Sequence, residues 1–170
     1  METERLLIDA IRPSDKVDYY HSISHDKRVL DTFVCRYAES LETFDFTPYL
    51  SRNDLWAIRL RETERLIGIL SSFEETADTV EIGYGLGSDW WGVGYASEAV
   101  RRFIRYCFEE KGLKTVTASY FPGNDASRRV MEKCGMRFWR TSEKEMNYLG
   151  VDRDLIYYGI RREEFFALFP

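Results

Sequence analysis

The residues best suited to chemistry form one stretch near the middle of the chain, Trp-Trp-Gly-Val-Gly-Tyr-Ala-Ser-Glu-Ala at residues 90–99. A strand-like segment at residues 79–86 precedes it, and an amphipathic helical pattern follows it. A strand, a glycine loop and a helix N-terminus together can bind an anionic phosphate on backbone N–H groups, with the helix dipole behind them. The stretch therefore predicts a phosphate site, although a tight turn explains a Gly-x-Gly pair equally well.

The spacing around these glycines argues against a dinucleotide-binding fold. That fold requires G-x-G-x-x-G after the first strand, and an acidic residue about 20 positions further on. Here Ser97 stands three positions after Gly94, the loop lies in mid-chain, and the next strand pattern ends in Phe-Pro-Gly. The dinucleotide interpretation of the loop is therefore rejected.

The elements around the loop are mostly strands, with helices early, in the middle and late. Strand patterns with alternating apolar residues cover residues 5–8, 55–60, 65–73, 79–86, 115–120, 136–140 and 154–161. Helical patterns cover residues 14–24, capped by Ser14, 27–36, 95–111, ended by Gly112, and 124–134, capped by Asn124 and ended by Gly135. This order predicts an α/β or α+β fold built on one sheet.

The composition limits the class of protein. With 170 residues, 44% of them hydrophobic and 31% charged, the chain is predicted to be one globular domain, residues 1–170. A net charge of −5 and a pI near 5.2 argue against nucleic-acid binding, which needs a basic face. No apolar run reaches the roughly 18 residues of a membrane span, and no signal peptide is visible, so a cytoplasmic location is expected.

The three cysteines and two histidines do not predict a metal site or a nucleophile. Cys35, Cys107 and Cys134 form no CxxC motif, which suits a reducing compartment. Cys107 lies on the apolar stripe of its helix, and Cys134 ends another. His21 and His25 are four residues apart and could share a metal, but no third ligand is suitably spaced, so surface histidines are the preferred interpretation.

Several motifs, taken together, resemble the GNAT acetyltransferase superfamily. Residues 91–96 are similar to its acyl-coenzyme A pyrophosphate loop, Gln/Arg-x-x-Gly-x-Gly/Ala. Glu-Ile-Gly-Tyr at 81–84, followed by Trp-Gly-x-Gly-Tyr-Ala-x-Glu-Ala, resembles the RimJ/RimL branch, named for ribosomal-protein N-terminal acetyltransferases. Asn-Asp-Ala-Ser at 124–127 with Glu-Lys-Cys-Gly-Met at 132–136 is similar to the family's Asn-x-x-Ser…Glu-Lys-x-Gly-Phe helix, and Thr-Glu-Arg-Leu at 3–6 resembles the start of that branch.

The resemblance implies a mixed, mostly antiparallel sheet flanked by helices, with strands 79–86 and 115–120 splayed apart to admit a pantetheine arm. It implies acetyl-CoA as the acyl donor, no metal, and direct attack by a primary amine in a ternary complex. The cofactor-binding residues that it implies are Leu86, Trp91, Gly92, Val93, Gly94, Tyr95, Ala96 and Asn124.

The chain departs from the family pattern at three positions. Trp91 replaces Gln or Arg at the start of the loop, and Met136 replaces the usual Phe. Met131 stands where many members carry a tyrosine that protonates the departing thiolate. The resemblance places Ser127 near the sulfur, so Ser127 is the predicted substitute. A thiol pKa near ~8.5 makes the thiolate a fair leaving group, so an acid helps without being essential.

Glu81 is the candidate general base. It shares a strand face with Gly83 and Gly85, which have no side chains, so it is expected to face space that a ligand could fill. Some relatives place their base at this position. The alternatives are an ordinary solvent-facing glutamate, a bulge that turns the side chain away, and proton loss directly to water.

The acceptor is predicted less directly. The resemblance favours the α-amine of a protein or peptide N-terminus. The alternatives are a small-molecule amine, such as an amino acid, polyamine or antibiotic, or an acyl-CoA-binding module with little catalysis. Trp56, Trp90 and residues 44–49 could line an acceptor pocket, although core packing is the default for aromatic residues. No nucleic-acid or membrane partner is expected, and the chain is expected to be a monomer or a homodimer.

Overall fold

The structure is a computed structural model, which describes residues 1–148 and 150–170. In these residues seven strands form one sheet in the order β1-β2-β3-β4-β5-β7-β6. The strands are β1 (Leu6–Ala10), β2 (Leu55–Leu60), β3 (Leu66–Phe73), β4 (Thr79–Leu86), β5 (Thr115–Tyr120), β6 (Arg137–Tyr148) and β7 (Val151–Arg161). Antiparallel pairing joins β1 to β2, β2 to β3, β5 to β7 and β6 to β7, while β4 and β5 are parallel. The predicted mixed, mostly antiparallel sheet is confirmed.

Helices flank this sheet. They are α1 (Lys16–Tyr19), α2 (Lys27–Leu30), α3 (Thr47–Leu50), α4 (Tyr95–Glu109), α5 (Asp125–Lys133) and α6 (Arg162–Leu168). The two long helices α4 and α5 lie where the sequence predicts them. Residues 14–24 are helical as predicted, although α1 is preceded by a 3₁₀ turn at Pro13–Asp15 and followed by a π-helical turn at Tyr20–Ser24. Helix α2 is shorter than the predicted 27–36, since it ends at Leu30. Helix α6 was not predicted.

The predicted cap at Ser14 is wrong. The side chain of Asp15 fixes the start of this helical segment instead, because its Oδ2 accepts the backbone N–H of Arg12 at 2.6 Å. Ser14 is exposed, whereas Asp15 is buried. The carboxylate of Asp15, which also pairs with Arg59 on β2, therefore takes the capping role that was predicted for Ser14.

The pairing of β4 with β5 is short. Within the described residues, their parallel ladder joins residues 79–81 to residues 115–117 and ends there. On its other edge β5 stays paired with β7 as far as Tyr120 and its partner Ile156. The short ladder agrees with the predicted splay of β4 and β5.

The chain divides into two compact units, and the predicted single domain stays a prediction. The first unit comprises residues 1–71 and 84–102, and the second comprises residues 72–83 and 103–170. In the part of the chain that the structure describes, no helix is long and apolar enough to cross a membrane.

Each unit has its own apolar packing. In the first unit Phe44 and Phe46 are buried beside Tyr19, with ring centroids 6.1 and 5.3 Å from the tyrosine ring. These aromatic residues therefore belong to the core, as the default interpretation expected. In the second unit the buried ring of Phe165 on α6 lies 5.6 Å from that of Phe108 on α4.

Arg59 on β2 carries a buried charge, and its side chain explains where the first helical segment begins. Its Nη1 and Nη2 donate to Asp15 Oδ1 and Oδ2 at 2.5 and 2.8 Å, and its Nε donates to Asp9 Oδ1 at 2.7 Å. Nη2 also donates to the carbonyl of Ala10 at 3.1 Å. Arg59 is 1% exposed and Asp15 is 3% exposed, so neither charge has water as an alternative partner.

Removing one partner of a buried ion pair costs about 3–5 kcal/mol, and Arg59 would then keep only the partly exposed Asp9 as a charged partner. We therefore expect Asp15→Asn to lower the free energy of unfolding by about that amount in urea denaturation. Asp54→Asn is the matched control, because Asp54 makes a similar bidentate pair with Arg52 at the surface and should change stability by no more than about 1 kcal/mol. Equal stability of the two variants would contradict the prediction.

Candidate functional site

The glycine loop lies in the first unit, between the end of β4 and the start of α4. Gly92 and Gly94 have φ angles of +82° and +91°, which residues with a side chain rarely adopt. A Cβ at Gly92 would have no atom within 4 Å, and one at Gly94 would lie 3.5 Å from Arg5 Nη2. The glycines are therefore required by the direction of the backbone, and open space adjoins the loop.

The first turn of α4 supplies N–H donors to this space. The backbone N–H of Glu98 bonds back to the carbonyl of Gly94 at 3.1 Å. The N–H groups of Tyr95 and Ala96 precede that bond and have no carbonyl to bond within the helix. Together with the positive end of the helix dipole, they make the loop suitable for an anionic group such as a diphosphate.

Trp91 joins the loop to the end of β4. Its indole Nε1–H donates to the carbonyl of Leu86 at 2.8 Å, while 44% of the residue remains exposed. The next backbone N–H, that of Gly87, donates to the carbonyl of Ile67 on β3 at 2.9 Å. The indole of Trp91 thus fixes the loop to the end of β4. The position of Trp91 in the family motif did not predict this hydrogen bond.

A second anchor, which the sequence did not reveal, holds the turn before the loop. Asp26 Oδ2 accepts the backbone N–H of Ser88 at 3.0 Å and also accepts its hydroxyl, while Oδ1 accepts the N–H of Arg28 at 3.0 Å. Burial would raise the pKa of Asp26, but these hydrogen bonds outweigh it and lower the pKa. The one visible signal was an aspartate directly before α2, which is a common capping position.

Glu81 lies in the second unit, on the first half of β4. Its Oε1 accepts the hydroxyl of Ser119 on β5 at 2.7 Å, and the residue is 8% exposed. An ordinary solvent-facing glutamate is therefore excluded. Burial raises the pKa of Glu81, the hydrogen bond from Ser119 opposes that shift, Glu74 and Glu145 add to it, and Arg140 opposes it. The group is a buried carboxylate that holds a proton more tightly than usual, as a general base requires.

The expectation of open space along this strand face is wrong at Gly85. A Cβ built there would lie 3.1 Å from the ring of Phe33, so an aromatic side chain fills the space. Gly85 is therefore explained by close packing inside the first unit.

Tyr157 on β7 is a further buried polar group, directly opposite Ser119 in the β5–β7 ladder. Burial raises the pKa of its hydroxyl, and the nearby Glu145 and Glu81 raise it further. The guanidinium of Arg140 lies 3.8 Å from the centre of its ring. Tyr157 is thus neutral at ordinary pH, and only the strand register places it beside Ser119.

Asn124 and Ser127 form the start of α5 in the second unit. Asn124 Oδ1 accepts the backbone N–H of Ser127 at 3.1 Å, so Asn124 is a helix cap, as its simpler interpretation holds. The cofactor-related roles of Asn124 and Ser127 stay predictions.

The surroundings of Cys35, Cys107 and His25 suit packing rather than catalysis. Burial raises the pKa of the Cys107 and Cys35 thiols to about 12, which makes both poor nucleophiles. His25 Nδ1 lies 2.8 Å from the carbonyl of Ala38, and its ring stacks on those of Tyr20 and Tyr37. Among residues 1–148 and 150–170, no three His, Cys, Asp or Glu side chains are grouped so as to hold a metal ion.

The fold is that of a class of acyl-CoA-dependent transferases, and sequence comparison identifies the family. The profile of the acetyltransferase (GNAT) domain matches residues 5–137. The chain therefore belongs to the GNAT family, whose members use acetyl-CoA, and it is an N-acetyltransferase.

Similar proteins span almost the whole chain. The uncharacterized N-acetyltransferase YoaA of Bacillus subtilis (strain 168) is 28% identical over 169 residues, covering 94% of this chain and 95% of the relative. The probable N-acetyltransferase YjcK of the same organism is 32% identical over 143 residues, covering 81% and 71%. The crystal structure of a GNAT-family acetyltransferase from Bacillus anthracis superposes with a TM-score of 0.85 at 28% identity, covering 96% and 98%.

The contact between Ser119 and Glu81 generates a prediction about protonation. A hydrogen bond donated to a carboxylate stabilises its charged form, so Ser119→Ala should raise the pKa of Glu81 further. We expect this shift in an NMR titration of protein carrying ¹³C-labelled glutamate, with the signal assigned from Glu81→Gln.

Thr117→Ala is the matched control, because it removes a hydroxyl from the same strand that bonds to the carbonyl of Val80 and not to a carboxylate. It should leave the titration of Glu81 unchanged. An unchanged or lowered pKa in Ser119→Ala would show that Ser119 does not stabilise the carboxylate.

Proposed function

We propose that the chain transfers an acetyl group from acetyl-CoA to the α-amine of a protein or peptide N-terminus. The amine attacks the thioester directly in a ternary complex, without a covalent enzyme intermediate. The observation that carries this proposal is the buried Glu81 carboxylate with its hydrogen bond from Ser119. We assign it the role of general base.

The glycine loop is assigned to the donor. Acetyl-CoA, when bound, supplies the acetyl thioester and the thiolate that leaves. Backbone N–H groups of residues 92–96, with the positive end of the α4 dipole, would hold its diphosphate. The residues assigned to the donor are Leu86, Trp91, Gly92, Val93, Gly94, Tyr95, Ala96 and Asn124. Ser127, in the first turn of α5, is assigned the delivery of a proton to the thiolate.

The protonation chemistry favours an α-amine over a lysine side chain. An α-amine has a pKa near ~7.7–8.0 and a lysine amine one near ~10.4, and the difference of about 2.5 units corresponds to ~3.4 kcal/mol. A carboxylate is a weak base even when its pKa is raised. Such a base can assist an α-amine, which is already partly neutral. A lysine amine holds its proton much more tightly, so a carboxylate would remove that proton far less readily.

The relatives support the same acceptor class. The putative ribosomal N-acetyltransferase YdaF of Bacillus subtilis (strain 168) is 31% identical over 101 residues, which is 58% of this chain. This similarity, together with the Trp-Gly-x-Gly-Tyr-Ala-x-Glu-Ala stretch, supports placing the chain in the RimJ/RimL branch.

A small-molecule amine is the second candidate acceptor, and one relative favours it. The FsC-acetyl coenzyme A-N(2)-transacetylase of Aspergillus fumigatus is 36% identical over 93 residues, which is 54% of this chain and 40% of the relative. Its name describes acetyl transfer from acetyl coenzyme A to the N(2) position of a compound abbreviated FsC.

The role of Glu81 predicts a specific change in the pH dependence of kcat/KM. With an N-terminal peptide as acceptor, the alkaline-rising profile should contain a limb from Glu81 and a limb from the α-amine near ~7.7–8.0. Glu81→Gln should remove the Glu81 limb alone and lower the rate by about 10²–10⁴-fold. Glu109→Gln, which alters a glutamate exposed on α4, should keep both limbs.

The groups that act electrostatically on Glu81 must stay constant in this comparison. They are Glu74, Glu145 and Arg140, and all three are unaltered in both variants. An unaltered profile in Glu81→Gln would remove Glu81 as the base and favour proton loss to water.

The acceptor class can be tested by thiol release from acetyl-CoA with matched acceptors. A short peptide with a free α-amine should give a higher kcat/KM than the same peptide with a blocked α-amine and a free lysine. It should also exceed free amino acids and spermidine. Highest activity with a small amine would establish the second candidate, and no thiol release above background with any acceptor would contradict both.

A further inference from the structure

Two residues near the N-terminus meet a glutamate of α4 that lies more than 90 positions away, in a cluster that we call the Arg5 clamp (Thr3, Arg5 and Glu98). Glu98 Oε1 accepts the hydroxyl of Thr3 at 2.6 Å and the backbone N–H of Arg5 at 3.0 Å. Glu98 Oε2 accepts Arg5 Nε at 2.7 Å and Nη2 at 2.6 Å. Both carboxylate oxygens are therefore fully engaged by the N-terminal segment.

The same guanidinium also reaches the glycine loop. Arg5 Nη1 donates to the carbonyl of Val93 at 3.1 Å, and the guanidinium carbon lies 4.6 Å from the centre of the Tyr95 ring. Arg5 Nη2 would lie 3.5 Å from a Cβ at Gly94. Arg5 thus contacts the residues on both sides of the second glycine, and this fixes the direction of the backbone between them.

The clamp also sets the charge at the helix start. Burial would raise the pKa of Glu98, but hydrogen bonds from Thr3 and Arg5 outweigh it and hold the pKa below its ordinary value. Glu98 is therefore a carboxylate at neutral pH, in the first turn of α4 where a diphosphate would bind. Without Arg5 that negative charge would repel the ligand.

We propose that Arg5 is a positioning residue for acetyl-CoA, which holds Val93 and Tyr95 in the binding conformation and cancels the charge of Glu98. This inference rests on the proposed placement of the diphosphate at residues 92–96. It makes the N-terminal segment part of the donor site.

The N-terminal segment does not depend on the Arg5 side chain to stay in place. The terminal amine of Met1 donates to the carbonyl of Ile8 at 2.8 Å, and the N–H of Thr3 donates to the carbonyl of Leu6 at 2.9 Å. Strand β1 is also paired with β2 along its whole length. A change of Arg5 therefore tests the clamp rather than the fold.

The first test is the binding of coenzyme A to the whole chain, measured by isothermal titration calorimetry. Arg5→Met should raise the Kd for coenzyme A about tenfold or more, because a charged hydrogen-bonding group is lost. The KM for acetyl-CoA should rise in parallel, while kcat at saturating acetyl-CoA stays within about twofold. Arg5→Lys keeps the charge but cannot reproduce the forked contacts, so its Kd should lie between those of wild type and Arg5→Met.

Arg52→Met is the matched control. Arg52 has a side-chain exposure of 41%, compared with 43% for Arg5, and makes a bidentate pair with Asp54 at 2.9 and 2.7 Å. Its removal should leave the Kd for coenzyme A unchanged.

A double variant separates charge cancellation from a merely structural role. If the unpaired Glu98 carboxylate repels the diphosphate, adding Glu98→Gln to Arg5→Met should bring the Kd part of the way back towards the wild-type value. If the clamp only supports the fold, the second change should weaken binding further. Thermal unfolding of each variant shows whether it is folded, and Arg5→Lys serves the test if Arg5→Met is not.

The outcomes distinguish this inference from the proposed function. Failure of the wild-type chain to bind coenzyme A, or unchanged binding in Gly94→Val, would overturn the placement of the diphosphate and the clamp with it. If wild type binds and Gly94→Val does not, a wild-type Kd in both Arg5→Met and Arg5→Lys would overturn the clamp alone.

Discussion

The backbone conformation between β4 and α4 is the constraint on which the candidate site depends. Two positive φ angles, at Gly92 and Gly94, turn the chain so that the first N–H groups of α4 adjoin open space. Two hydrogen bonds hold that turn in place. The indole N–H of Trp91 donates to the carbonyl of Leu86, and the carboxylate of Asp26 accepts the backbone N–H of Ser88. The loop thus combines an unusual conformation with hydrogen bonds that stabilise it.

This arrangement explains how an acidic chain can be suited to an anionic cofactor. The net charge is −5, so long-range attraction does not favour a diphosphate. Backbone dipoles at a helix start supply positive potential without adding net charge. The one carboxylate in this turn, Glu98, is paired with Arg5. In the proposed site, local dipoles and a cancelled charge would therefore do what a basic surface does in other anion-binding proteins.

The parts of the fold that the sequence predicted are those whose pattern is local. Strand β4 has the predicted bounds, because it alternates regularly and is followed directly by the glycine loop, and β5 does as well. Residues 14–24 are helical as predicted, but the cap at Ser14 was wrong, because Asp15 pairs with Arg59, which lies 44 positions away. A propensity for capping at Ser14 cannot compete with a buried ion pair that the local sequence does not reveal.

The same distinction between local and non-local patterns applies to the candidate site. It separates the residues assigned to the donor from the groups proposed to act on the acceptor. The proposed diphosphate site depends on backbone conformation, which glycines encode at their own positions, so residues 92–96 could be proposed directly from the sequence. Proton transfer depends on contacts between strands. Ser119 meets Glu81 only because β4 and β5 are parallel in one register, and Tyr157 lies opposite Ser119 only because β7 pairs there. No pattern within one segment fixes such a register, so the glutamate could be proposed from its position while the groups that tune it could not. The sequence offers no local pattern for the acceptor that compares with the glycine loop, and for that reason the donor is far better defined by the sequence than the amine.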